Sequence, residues 1–342
     1  MSGHGAVERP VQIGVVGAGS VATSFHLPIL SNLETAEIAF VADLDRQLAL
    51  EYGNIYDATP VPSSEPGKLP ACDAALLATP VGVREEYIRE FGRQNVALFS
   101  EKPFAPSYEK HHSFLSDLTF AMTNYMRMTY SSIDQLGTLL ETQMLGNLER
   151  ASLSRSMTGA TGISTDTYAT DSDMSGGGIL IERGCHDLSQ LCCLFDGDAL
   201  SVDHASVVWN GDFDVGVSVE LEASIDDNDV PIDYQFSMVE PMDNGSVYEF
   251  EDATVTFDHV DAESRLSVTP KSDADVALNE FVLVPTEESA QNTREAMYLR
   301  WKSFLDALTT GSVLNLETQT GLHVTRLMSE IYQAPDEERE VD

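Results

Sequence analysis

Val11-Gln12-Ile13-Gly14-Val15-Val16 runs directly into Gly17-Ala18-Gly19-Ser20-Val21-Ala22. A short apolar run that meets G-x-G-x-x-A and continues into a helix-like stretch reads as a buried strand, a tight turn and a helix start. Each small residue has a physical task there. Gly17 makes the turn, Gly19 lets backbone approach a pyrophosphate, and Ala22 leaves room for the helix to pack on the strand. The helix start adds N–H donors and the positive end of its dipole. Gly17, Gly19, Ser20, Val21 and Ala22 are therefore expected to hold the phosphates of a dinucleotide. A glycine turn alone is often only a turn; its place behind the first apolar run gives it meaning.

Working outward, the first third alternates strand and helix in the doubly wound manner. Apolar runs at 11–16, 36–42, 73–78, 96–100 and 119–123 read as parallel strands, with helical patterns near 20–32, 45–52, 82–93 and 107–117. Residues 54–70, with four prolines, read as an irregular crossover. After Asn124 the character changes. A helix near 129–144 ends at Gly146, a strand begins at Leu148, and a second helix spans 178–195. Extended segments follow near 201–210, 213–225, 230–239, 246–259, 264–270 and 279–285, then helices near 290–309 and 317–332. Alternation such as Val215-Gly-Val-Ser-Val-Glu-Leu-Glu222 fits antiparallel strands with one wet face. The expected fold class is α/β for an N-terminal Rossmann domain, 1–124, built on a doubly wound parallel sheet, with 1–10 a loose tail. An α+β C-terminal domain, 125–342, carries an open, mainly antiparallel sheet.

The charge is the second notable feature: −37, from 56 acidic and 19 basic residues, only five of them lysine (Lys68, Lys102, Lys110, Lys271, Lys302). Such self-repulsion destabilises a fold at low salt, whereas molar salt shrinks the Debye length to ~3 Å. A salt-loving host is the expectation. A nucleic-acid partner is not expected, since no basic stripe exists to meet phosphates. No apolar run approaches the ~18 residues of a membrane span and no charged-then-apolar leader opens the chain, so no membrane partner and a cytoplasmic location are expected. Cys72, Cys185, Cys192 and Cys193 suit a reduced compartment with small buried thiols. A metal site from Cys185, His186 and Cys192 lacks a C-x-x-C pair, and no metal is expected.

Asp43 ends the second strand pattern, where a carboxylate accepts both ribose hydroxyls of an adenosine and repels a 2′-phosphate. NAD is the expected cofactor; Arg46, one turn on, keeps NADP possible. Asp45 reads as the cap of the next helix. Leu77-Ala78-Thr79-Pro80 and Ser100-Glu101-Lys102-Pro103 end two further strands, on the edge where open α/β sheets bind ligands. With lysine so scarce, Lys102 at a strand end invites a functional reading.

In order along the chain, Gly17-x-Gly19-x-x-Ala22, Thr79-Pro80, Glu101-Lys102-Pro103, Asn124-Tyr125-x-Arg127, Gly176-Gly-Gly-x5-Gly184-x-His186-Asp187 and Trp301-Lys-Ser-Phe304-x-x-Ala307-x-x-x-Gly311 resemble the glucose–fructose oxidoreductase/inositol dehydrogenase (Gfo/Idh/MocA) family. The resemblance implies an NAD(P)-dependent oxidoreductase moving hydride between a sugar, polyol or sugar-derivative hydroxyl and the cofactor. Its open sheet would serve substrate binding and the contacts of a homo-oligomer, a dimer or tetramer. Carried over by position, Thr79, Pro80, Glu101 and Lys102 would meet the cofactor, and Lys102 would also orient the substrate hydroxyl. His186 would be the acid/base residue, with Glu182 at i−4 fixing its tautomer. Tyr125, Arg127 and Asp187 would line the substrate pocket. The family also implies rivals: an enzyme that retains NAD and cleaves a glycosidic bond by transient oxidation, members acting on nucleotide-linked sugars, and a non-catalytic NAD-binding sensor.

This chain departs from the family pattern at three places. Glu182 stands where many members have Asp. Val81 and Arg84 stand where many have Asn and His. Arg84 reads as a helix-surface residue, with a phosphate or carboxylate contact as the alternative. Of the other histidines, His26 is expected to pack, and His111 and His112 to sit on an exposed helix. The acidic stretches 226–229 and 336–342 are expected to be solvated loop and tail.

Overall fold

In the computed structural model, residues 9–63, 65–158, 172–226, 228–272, 283, 286, 289–310, 315–333 and 337–340 are described. Strands β1 (Val11–Val16), β2 (Ala36–Ala42), β3 (Thr59–Val61), β4 (Ala74–Leu77), β5 (Ala97–Ser100) and β6 (Ala121–Thr123) form one parallel sheet in the order β3-β2-β1-β4-β5-β6. That is the dinucleotide-binding order, with its switch point between β1 and β4. β4 and β5 are buried at every residue, as expected for central parallel strands covered on both faces. β3 is a correction: it arises inside the stretch read as an irregular crossover. Pro60 is tolerated because β3 is an edge strand that pairs only with β2.

Helical residues 20–30 follow the glycine turn, with a wide π turn at Ala22–His26 before α1 (Leu27–Leu30). α2 (Arg46–Ile55), α3 (Arg84–Gln94) and α4 (Tyr108–Asp117) complete the connections of the first domain. Asp45 caps α2, its side chain accepting Gln47 N at 2.7 Å, as its position predicts.

The second domain contains helices α5 (Ser131–Thr142), α6 (Ser172–Ser175), α7 (Cys185–Phe195), α8 (Thr293–Thr310) and α9 (Asn315–Gln333). Its strands are β7 (Leu148–Ser156), β8 (Leu200–Asn210), β9 (Phe213–Ile225), β10 (Asn228–Ser237), β11 (Gly245–Phe250), β12 (Ala253–Phe257), β13 (Ser267–Pro270) and β14 (Glu337–Glu340). They form one sheet in the order β13-β12-β11-β7-β10-β9-β8-β14. Pairing is antiparallel except for β7 with β10 and β8 with β14. The segment read as one run at 246–259 is the hairpin β11–β12. The acidic tail is corrected too. Residues 337–340 pair with β8 because its free edge offers backbone hydrogen bonds whatever the side-chain charge. Of the extended run expected at 279–285, residues 279–282, 284 and 285 lie outside the described residues, as do residues 1–8 of the expected tail.

One face of this sheet packs under α5, α7 and α9, through residues such as Leu136, Leu188, Leu191 and Leu327. The opposite face is polar. Register aligns His204, Glu220, Asp233 and Ser152 in one row across β8, β9, β10 and β7, and Ser206, Ser218, Gln235 and Ser154 in the next. Carboxylates placed side by side repel, and Asp229 raises the carboxyl pKa of Glu222 above its ordinary value. We therefore expect the thermal unfolding midpoint to climb as KCl rises to ~2 M. A flat or falling midpoint would reject repulsion as the dominant charge effect.

Helix α8 lies in the range expected for the second domain but packs on the first sheet. Its Met297, Trp301, Phe304 and Leu305 join Ile13, Leu76 and Phe99 in one core, with Trp301 stacked on Phe99 at 4.2 Å. α9 similarly covers α4, which corrects the reading of His111 as exposed. His111 is buried, bonded through Nδ1 to Thr325 Oγ1 at 2.8 Å and stacked on Phe104. Burial, with neighbouring His112, pushes its pKa down to about 3. No described helix is long and apolar enough to cross a membrane.

Candidate active site

The carboxyl edge of the first sheet carries the expected cofactor residues. Gly17 has φ +96°, and a Cβ there would lie 2.6 Å from Ala78 O, so only glycine fits the turn. A Cβ on Gly19 would meet nothing within 4 Å, leaving this backbone open to a close ligand. Ser20 is exposed, Val21 half-buried, and Ala22 fully buried under the helix. Asp43 ties the turn to β2: its Oδ2 accepts Ala18 N at 2.7 Å and its Oδ1 accepts Asp45 N at 2.8 Å. A carboxylate has about four acceptor positions, so Asp43 keeps capacity for ribose hydroxyls. Across the switch point, Thr79 Oγ1 is buried without a hydrogen-bond partner among the described residues, beside Pro80. An open glycine turn, a carboxylate with free lone pairs and an orphaned hydroxyl on one edge fit a nicotinamide dinucleotide.

Arg84 is the main correction here. The expected surface residue is buried, at the first position of α3. Its Nε donates to Thr79 O at 2.9 Å and Nη2 to the same oxygen at 2.5 Å. Nη1 donates to Glu101 O at 2.5 Å, to Ser100 Oγ at 3.2 Å and to Pro103 O. One guanidinium thus sutures the loops leaving β4 and β5, Thr79-Pro80 and Glu101-Lys102-Pro103. The available sequence signal is an arginine at a helix N-terminus, the end that disfavours cations unless other acceptors hold them.

Glu101 is also more internal than a cofactor contact. Trp301 Nε1 donates to His26 Nδ1 at 2.8 Å, so His26 uses Nε2–H to donate to Glu101 Oε1, also at 2.8 Å. Asn124 Nδ2 donates to the same oxygen at 2.6 Å. Burial alone would raise the Glu101 pKa, but the bonds from His26 and Asn124 and the nearby Lys102 ammonium bring it down to about 2. The packed role expected for His26 is therefore also a positioning role: it orients Glu101, next to Lys102.

Lys102 reaches across to the second domain. Its Nζ donates to the backbone O of Glu182 at 2.6 Å and to Glu182 Oε2 at 3.2 Å. Glu182 therefore turns to Lys102 and, at 3.8 Å, to Arg183; among the described residues no hydrogen bond or ion pair joins it to His186. The Lys102 ammonium draws the carboxylate across, at a segment that runs as a π turn from Leu180 to Gly184. Asp214 fixes the start of this segment, accepting Gly178 N at 2.6 Å, Leu180 N at 2.9 Å and Tyr332 OH at 2.6 Å. Gly178 is required for that approach, since a Cβ would lie 2.2 Å from Asp214 O.

His186 follows in the first turn of α7, edge-on to the ring of Tyr125 at 6.2 Å. Its burial, then Arg127, Lys102, Arg155 and Arg183 around it, hold its pKa well below the ordinary 6.5. The imidazole is neutral at neutral pH and able to accept a proton. Tyr125 is buried in the core and reaches the site through His186. Asp187 has no exposed surface. Its Oδ1 accepts Arg127 Nη1 at 3.0 Å and its Oδ2 accepts Tyr234 OH at 3.1 Å. Two of the three residues expected to line the pocket, Arg127 and Asp187, thus form a buried pair, joined by Arg155, which the linear sequence does not single out.

Residues 11–116 match the family model described as "Oxidoreductase family, NAD-binding Rossmann fold". No curated protein matches the chain. Among solved structures, KijD10, a 3-ketoreductase from Actinomadura kijaniata in complex with NADP and TDP-benzene, superposes with a TM-score of 0.81 at 16% identity, over 97% of this chain and 100% of that one. Aldose-aldose oxidoreductase from Caulobacter crescentus, complexed with glycerol, gives a TM-score of 0.76 at 16% identity, over 96% and 98%. An oxidoreductase from Thermotoga maritima gives 0.74 at 17% identity, over 94% and 96%. At these identities the likeness is one of fold.

Proposed function

We propose that this chain, whose residues 11–116 match the NAD-binding Rossmann model of the Gfo/Idh/MocA oxidoreductases, is a dehydrogenase oxidising a CH–OH group of a sugar, polyol or sugar derivative. The observation that carries the reading is the meeting of Lys102, from the cofactor edge of the first sheet, with the segment that presents neutral His186. Gly17, Gly19, Ser20, Val21 and Ala22 would hold the cofactor phosphates, Asp43 its ribose, and Thr79 and Pro80 the opposite wall. Bound there, the cofactor supplies hydride acceptance. Lys102 donates a hydrogen bond to the substrate hydroxyl and stabilises charge that develops on its oxygen. His186 accepts the hydroxyl proton. Glu182 holds the Lys102 ammonium in place. NAD is preferred, because the Asp43 carboxylate repels a 2′-phosphate; the KijD10 neighbour was crystallised with NADP, so both cofactors belong in the test.

The test is absorbance at 340 nm in ~2 M KCl, with NAD and NADP in parallel against aldoses, inositols and sugar acids. Reduced cofactor should form with one substrate cluster, faster with NAD. A silent panel from protein that carries bound NAD would overturn the dehydrogenase in favour of a cofactor-retaining lyase or a sensor.

A further inference from the structure

Beside His186, the described residues of the second domain bury more positive charge than they neutralise. Arg127 follows β6, Arg155 lies near the end of β7, and His259 follows β12. All three turn to one carboxylate oxygen. Asp187 Oδ1 lies 3.0 Å from Arg127 Nη1, 3.6 Å from Arg155 Nη1 and 3.7 Å from His259 Nε2. Its other oxygen is taken by Tyr234. Among the described residues two guanidiniums share one carboxylate, which leaves a positive centre inside a chain of net charge −37.

The hydrogen bonding is incomplete in the same sense. Arg127 Nε, Arg155 Nη1, His186 Nδ1 and both ring nitrogens of His259 are buried without a hydrogen-bond partner among the described residues. Arginine is rarely buried unless paired, and a buried donor left unmade costs ~1–3 kcal/mol, more when charged. A fold that needed only an internal ion pair would be served by one arginine and one aspartate. The surplus has an outlet: Arg127, Arg155 and His186 retain 6%, 6% and 7% of their surface exposed, so the cluster reaches the wall of the site. Arg155 also sits over Phe236, its Cζ 4.8 Å from the ring centroid, which helps hold the fork in place.

We propose that the substrate carries an oxyanion, a carboxylate or a phosphate, which docks on Arg127, Arg155 and His259 while its reacting hydroxyl faces Lys102 and His186. This rests on the dehydrogenase reading and narrows its substrate class from sugars to acidic sugar derivatives. A guanidinium fork matches either anion geometrically, and Asp187 sets the net charge at the single positive unit that one carboxylate neutralises. A neutral polyol would leave the same donors unpaired.

The experiment is calorimetric titration of the full chain, loaded with NADH so that oxidation cannot proceed, at fixed KCl so that chloride competes equally. The probes are glucose, gluconate, glucose 6-phosphate and inorganic phosphate. One of the charged sugars should bind ~10–100-fold tighter than glucose, and the tighter one identifies the anion. In Arg155→Gln that preference should fall at least ~10-fold, with NADH affinity unchanged as the check on folding. The wild-type comparison decides even if the variant does not fold. Equal binding of glucose and the charged sugars, or a preference that survives Arg155→Gln, overturns the proposal. Turnover of neutral sugars without anion preference would leave the dehydrogenase standing and remove only the anion site. Binding of inorganic phosphate that Arg155→Gln abolishes, with no sugar bound or oxidised, would keep the anion site and reject the sugar reading. No binding by any probe rejects both.

Discussion

His186→Ala lowers kcat by ~10²–10⁴-fold and leaves NAD affinity unchanged. The imidazole is the neutral proton acceptor at the site, whereas the residues expected to grip the cofactor lie on the other domain's glycine turn and strand ends. Its depressed pKa also fixes a pH signature. Burial and four surrounding cations keep the free enzyme's imidazole neutral through pH 6.5, so kcat/KM should stay flat on the acid side there and fall only well below it. The sign follows from the role: a base is lost as pH drops through its folded-state pKa, and depression moves that loss to lower pH. A substrate that brings an anion next to Arg127 and Arg155 offsets two of those cations, so the acid limb of kcat should lie above that of kcat/KM. An acid limb in kcat/KM at or above 6.5 would assign the proton to another group. Unchanged kcat in His186→Ala would remove the histidine from the chemistry.

Asp187→Ala destabilises the chain by ~3–5 kcal/mol. The carboxylate is fully buried, and its loss strands two buried guanidiniums and the Tyr234 hydroxyl together. Breaking such a cluster from its minority side is worse than breaking it from the majority side. Arg155→Gln removes surplus charge and should cost less than Asp187→Ala in the same denaturant titration. If the order is reversed, or Asp187→Ala costs under ~1 kcal/mol, water rather than Asp187 compensates the arginines.

All strands of the first sheet except β3 were legible because their determinants are local. Val11–Val16 and Gly17 to Ala22 are contiguous, and the turn they make is required by contacts a short motif encodes. Lys102 and His186 stood out through the motifs that carry the family resemblance, whereas Asp187, read there as pocket lining, is the buried partner of Arg127 and Tyr234. What stayed hidden depends on partners far along the chain. Arg84 looks like any polar residue at a helix start until the ends of β4 and β5 supply carbonyls to it. His111 looks exposed on α4 until α9 covers it, and β14 looks like tail until the edge of β8 is there to pair with it. Glu182 and His186 are spaced for an ordinary helix, and no pattern announces the π turn at Leu180–Gly184 or the reach of Lys102 to Glu182. Arg155 and His259 acquire meaning only when the second sheet closes around Asp187.

The placement of α8 bears on how the protein is made. The sheet that begins at Val11 leaves the ribosome well before Trp301 and Phe304, which complete its core. Domains usually fold as they are synthesised, first part first. Here the nascent first sheet must keep the face around Phe99 uncovered until the C-terminal helices arrive, which exposes it to aggregation and to chaperones in the meantime. The same helix delivers the indole that sets the tautomer of His26 and thereby orients Glu101. Cofactor-site assembly is thus coupled to the synthesis of α8, and a chain cut short before α8 would carry the glycine turn without the support that makes it competent.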